Sequence, residues 1–126
     1  MPAVRFPVEM VQGVPVVAVP EEIDVTSAAV LREALLEAAV RADGTFVADM
    51  TRTRFCDSAG LHVLAGAHRQ TQAEGGELLL VAAEATMLRI FAITGLDRVI
   101  PTFTNLEDAL ATAEVAEDYE AVPDPA

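Results

Sequence analysis

Two short, almost continuously apolar runs, Phe46 to Ala48 within Thr45–Met50 and then Leu78 to Ala82, constrain the fold of this 126-residue chain more than any other feature. A strand with one wet face alternates apolar and polar side chains, whereas a strand covered on both faces does not. Both runs therefore read as strands in the middle of a covered sheet. The stretches around them have helical spacing instead. From Ala28 to Arg41 the residues Ala28, Leu31, Leu35 and Ala38 share a face, and Glu37 and Arg41 form an i,i+4 pair on another. Ala59 to Gln72 repeats the pattern with Leu61, Leu64 and Ala65, and Glu84 to Ala92 with Met87, Ile90, Phe91 and Thr94.

The remaining segments complete an alternating order. Phe6 to Met10 and Val14 to Val19 are β-prone and are separated by Val11, Gln12 and Gly13, which predicts an N-terminal hairpin. Pro7 and Pro15 belong at strand starts or an edge, and Pro20 ends the second strand. The loop Glu21 to Asp24 leads to Thr26 and Ser27, either of which can cap the first helix. Asp43 with Gly44, and Gly75 with Gly76, stop the first two helices, and Gly95 caps the third. Arg98 to Pro101 reads as a last short strand; Thr104 with Glu107 reads as a capping box for a final helix ending near Glu114. Strand-helix-strand alternation implies parallel pairing through right-handed crossovers. The expected fold is thus α/β: a small mixed sheet, antiparallel only at its N-terminal hairpin, packed with about four helices.

Length and charge narrow the function. One domain is expected over residues 1–113, with an acidic, disordered tail over 114–126. Net charge is −12, and all eight basic residues are arginine. Five acids and no base fall in the tail, which leaves −7 on the body. Neither nucleic acid nor an anionic membrane surface suits such a chain, because both require a basic patch. No apolar run approaches the roughly 20 residues that span a bilayer. The chain opens on no leader-like segment, so a cytoplasmic location is expected. A single cysteine, Cys56, excludes an internal disulfide and a thiolate metal cluster, and its place at a strand end suits a small core hydrophobe.

The candidate site is Phe55 to Leu61, where an apolar run meets a helix start. Asp57 and Ser58 can accept hydrogen bonds from the free N–H groups opening that helix. A phosphoryl group on Ser58 would be favoured locally by the helix N-terminus while changing what the surface offers a partner. A serine hydrolase elbow also places serine at a strand-to-helix turn, but it wants glycine two residues before and after. Here those positions hold Cys56 and Gly60. A base would have to be His62, one turn along the same helix, or His68; both are expected to be solvated or partner-facing. Six residues separate them, on different helix faces, so they do not suggest a shared metal. No phosphate-binding glycine loop is present. No catalytic residue, metal or cofactor is expected.

The segment Phe55 to Leu61, following Asp49 and Met50, resembles the signature of STAS domains, in particular of bacterial anti-sigma factor antagonists. Ile23 and Asp24 before a Thr/Ser-capped helix, the Gly75–Gly76 turn and the Thr94, Gly95, Leu96 step resemble further landmarks in the same order, so the resemblance spans Val4 to Ala113. It implies a mixed sheet with helices on one side. It also implies a partner that is both anti-sigma factor and serine kinase, which phosphorylates the motif serine and thereby ends the association. Carried to this sequence, the phosphorylated residue is Ser58, and the partner surface comprises Asp24, Asp57, Ser58, Ala59, Gly60 and Leu61. Two departures stand out. Glu21 follows Pro20 where many members have glycine, and Ala59 replaces a second serine, which leaves Ser58 as the only hydroxyl of the motif. A STAS scaffold or sensor module that is never phosphorylated is the alternative. A monomer or weak dimer is expected.

Overall fold

The computed structural model describes the backbone of residues 5–121 and the side chains of residues 5–113. Two strands, β1 (Val8–Val11) and β2 (Val14–Ala18), form the expected hairpin. Val11 pairs with Val14 across Gln12 and Gly13, whose φ values of 53° and 80° are both positive. Such a two-residue turn has the twist that antiparallel strands need. A short strand β3 (Glu22–Ile23) follows, then α1 (Ala28–Arg41), β4 (Thr45–Met50) and a second short strand β5 (Phe55–Cys56). The chain continues through α2 (Ser58–Ala73), β6 (Glu77–Ala82), α3 (Ala85–Thr94), a single turn α4 (Leu96–Val99), β7 (Thr102–Phe103) and α5 (Leu106–Ala121).

The main sheet has the order β1-β2-β4-β6-β7, antiparallel only between β1 and β2. β4 and β6 lie inside it and are covered on both faces, as their unbroken apolar character predicts. Period-two alternation splits their side chains between two cores. Phe46, Ala48 and Met50 with Leu78, Leu80 and Ala82 face α1, α2 and α3, joined by Leu31, Leu35, Leu64, Met87 and Phe91. Val47, Leu79 and Val81 face the other way, with Val14 and Val16, and meet Ala109, Leu110 and Ala113 of α5. Helices therefore cover both faces of the sheet, not one. The reason is the apolar stripe Leu106, Ala109, Leu110, Ala113, whose i, i+3, i+4, i+7 spacing gives α5 a face to bury.

Several boundaries differ from the sequence reading. Arg98 to Pro101 is not a strand. Gly95, at φ 79°, ends α3 and opens α4, in which Leu96 and Ile100 are buried four residues apart while Val99 is exposed. Pro101 has no N–H to give a ladder, so pairing with β6 begins at Thr102, opposite Leu80. The cap of α5 is Asn105: its Oδ1 accepts from the Asp108 amide at 2.9 Å and its Nδ2 donates to the Asp108 carboxylate at 3.0 Å. That is a reciprocal cap shifted by one residue from Thr104 and Glu107. α5 also runs on to Ala121 through a segment rich in alanine and glutamate, both strong helix formers, instead of stopping near Glu114. Residues 122–126 of the expected tail lie outside the described residues.

Candidate protein-binding site

The site is built by β3 and β5, which pair in parallel as a separate two-stranded sheet, Glu22 opposite Phe55 and Ile23 opposite Cys56. Neither run is long enough to be a strand alone. Their pairing is fixed by the Arg54 and Phe55 amides, which donate to the Glu21 carbonyl at 2.7 and 3.2 Å, and by the Asp57 amide, which donates to the Ile23 carbonyl at 3.0 Å. The buried Thr53 anchors the approach, its Oγ1 donating to the Pro20 carbonyl at 2.8 Å. This register sets Asp24 next to Asp57, so residues 33 apart in sequence share one surface. Thr53 has no sequence signal, because its role depends wholly on a carbonyl from a distant loop.

Asp57 alone caps α2. Its backbone is extended (φ −81°, ψ −178°) and its Oδ1 accepts from the Gly60 amide at 3.1 Å. Ser58 is the first helical residue and is exposed; it does not share the capping role. Gly60 is buried where the helix touches the small sheet. A Cβ there would lie 2.5 Å from Cys56 Sγ and 2.6 Å from Ile23 Cγ2, so only glycine lets α2 begin this close to β3 and β5. Ala59 and Leu61 are half-buried beside it.

Asp24 organises the opposite rim. Its Oδ1 accepts from Thr26 Oγ1 at 2.6 Å, from the Thr26 and Ser27 amides at 2.9 and 3.1 Å, and from Ser27 Oγ at 3.3 Å. The Thr26 hydroxyl foremost, then the Ser27 amide, hold its carboxyl below the usual carboxylate range. Ser27 precedes α1 without a side-chain cap bond, so the turn is stabilised by Asp24, not by Thr26 or Ser27 as capping residues. Two apolar side chains, Val25 at 72% and Phe55 at 48% exposure, flank the acidic pair. An exposed serine next to Asp57, on the surface that the β3–β5 register shares with Asp24, and with uncovered apolar groups at Val25 and Phe55, suits contact with a protein.

The geometry is not that of a nucleophile site. Cys56 is buried and its thiol is pushed up to about 12 by that burial and by the Asp57 charge, so it stays protonated. His62 is exposed one turn beyond Ser58. His68 departs from the expected solvated position: it is buried, and its Nδ1 has no hydrogen-bond partner. It belongs to the stripe Gly60, Leu64, His68, Thr71, a spacing that the helical period could have revealed. Ten residues along α2 place it about 15 Å from Ser58. Among the described residues, no group of three His, Cys, Asp or Glu side chains could hold a metal ion, and no helix is long and apolar enough to cross a membrane.

The description of the STAS domain family matches residues 5–109, and the chain belongs to that family. It is 37% identical to the anti-sigma-B factor antagonist of Bacillus subtilis over 79 residues, 63% of this chain and 72% of that one. The crystal structure of an anti-sigma factor antagonist from Mycobacterium paratuberculosis superposes with a TM-score of 0.77 at 33% identity, covering 85% of this chain and 91% of that one. The anti-sigma factor antagonist SpoIIAA of Bacillus has been solved in unphosphorylated and phosphorylated forms. These share the fold with TM-scores of 0.71 and 0.65 at 24% identity, each covering 86% of this chain, and 96% and 98% of their own.

Proposed function

We propose that this chain is a cytoplasmic anti-sigma factor antagonist. It binds an anti-sigma factor with serine kinase activity through Asp24, Asp57, Ser58, Ala59, Gly60 and Leu61, and phosphorylation of Ser58 releases it. The observation that carries the reading is the exposed Ser58 at the first position of α2, with Asp57 engaged as the cap and Asp24 set beside it by the β3–β5 pair. The names of its relatives support a protein partner of the anti-sigma class. The two forms of SpoIIAA support a fold that tolerates the phosphate.

Helix N-termini favour negative charge, so the phosphate is accommodated within the domain. The partner meets the cost. Nearly two added charges beside two carboxylates present like charge or an unpaired buried phosphate to the interface. Ala59 confines the event to one hydroxyl. With −12 on the chain, self-association is weak, and a monomer or weak dimer is the acting form. Affinity capture from the native cell, with and without prior phosphatase treatment, tests the reading. A kinase-like anti-sigma factor should be retained only, or far better, by dephosphorylated bait; equal retention by both would leave an unswitched scaffold.

A further inference from the structure

A groove of about 210 Å³ lies between α1 and α2; none of the residues assigned to the partner surface lines it, although His62 and Val63 follow Leu61 directly. Leu36 and Val63 form its walls, Gly66 and Ala67 its floor, and Arg32, His62 and Arg69 bring positive or hydrogen-bonding groups to its edge. No acidic residue lines it. This is unusual in a chain with 20 acids and 8 arginines. Neither arginine, nor His62, has an acid three or four residues away on its own helix, where a compensating pair would normally form.

Gly66, on the floor of the groove, lies inside α2. Glycine inside a helix is destabilising relative to alanine, and at Gly60, the other glycine of α2, close neighbours explain it. At Gly66 nothing does: an added Cβ would meet only Arg69 Nη2, at 3.9 Å, and would otherwise project into the groove. The missing methyl keeps the floor open, and the Arg69 guanidinium folds over it.

We infer that this groove binds a small multivalent oxyanion, phosphorylated or polycarboxylate, held by Arg32 and Arg69 over the floor at Gly66. Guanidinium groups match phosphate and carboxylate with paired N–H donors, and the volume suits a ligand smaller than a nucleotide. A chain so acidic repels anions in general, so binding has to be local to this cluster. Because His62 follows Ser58 by one helical turn, the ligand sits on the helix that carries the switch.

The test is titration of the full chain with pyrophosphate, inorganic phosphate and citrate, followed by amide correlation spectra at ionic strength held constant with sodium chloride. The expected result is a saturable response centred on Gly66, Ala67 and Arg69, with phosphate compounds and citrate ranked by which source the site prefers. Arg32→Ala combined with Arg69→Ala should weaken binding at least tenfold with the rest of the spectrum native. Gly66→Ala should raise the melting temperature yet weaken binding, a combination that a purely structural glycine would not give. Unsaturable, scattered responses with all three anions, unchanged affinity in the double arginine variant, or full binding by Gly66→Ala would each overturn the assignment. So would an acidic peptide binding there where no small anion does.

Discussion

Gly60 shows how one missing side chain sets the site. Its Cα faces Cys56 and Ile23 at distances no Cβ could occupy, so Gly60→Ala must push α2 away from the β3–β5 pair. Overpacking of this kind costs about 1–3 kcal/mol, and a chemical denaturation midpoint should fall accordingly while Gly66→Ala moves it the other way. Cys56, on the other side of that contact, should not react with a thiol reagent in the folded state at pH 8, because its thiol is held near 12. A raised thiol also fixes the sign of an alkaline effect. The unfolded chain loses this proton from about pH 9 upward and the folded chain keeps it, so Cys56 subtracts stability as pH rises through that window. Cys56→Ala should flatten the alkaline limb of a stability–pH curve; an unchanged limb would assign it to other groups.

At the scale of elements, the entry turn of α1 carries the acid-side counterpart. Asp24 has its folded value lowered by the Thr26 hydroxyl and the Ser27 amide, so its contribution is present above the ordinary carboxylate value and is lost as pH falls through the lowered one. Amide resonances of Thr26 and Ser27 should move together as that carboxyl is protonated, and Asp24→Ala should abolish the transition. The far end of the chain offers a second check. Among the described side chains the buried stripe of α5 runs from Leu106 to Ala113, and removing residues 114–126 should change unfolding free energy by less than about 0.5 kcal/mol. A larger loss would extend the domain beyond the proposed boundary at 113. The long elements were legible because each follows its own period: the hairpin, α1, β4, α2, β6 and α3 all fall within a few residues of where hydrophobic spacing puts them. The short ones were not. β3 and β5 exist only through each other, and α4 and β7 are set by the glycine before α4 and the proline between the two. His68 is buried because it shares a stripe with Leu64 and Thr71, so its position on the helix outweighs the polarity that suggests solvation.

Across the whole molecule, two cores cover opposite faces of one sheet, and Ile23 and Cys56 of the small β3–β5 sheet pack into the first of them, which ties the site to the core. The acidic pair was readable only in part: Asp24 and Asp57 each stand out in the sequence, but their juxtaposition depends on a parallel register that no local pattern announces. In the proposed switch, the N-terminus of α2 would accommodate a phosphate on Ser58 within the domain, so the effect would fall on the interface rather than on the fold. Calorimetry of the purified chain with its anti-sigma partner measures this most directly, comparing wild type, Ser58→Ala, Ser58→Asp and the protein phosphorylated at Ser58. Ser58→Ala should keep wild-type affinity, and the phosphorylated protein should lose roughly a hundredfold, about 3 kcal/mol, with Ser58→Asp in the same direction. Equal dissociation constants for all four would contradict the switch.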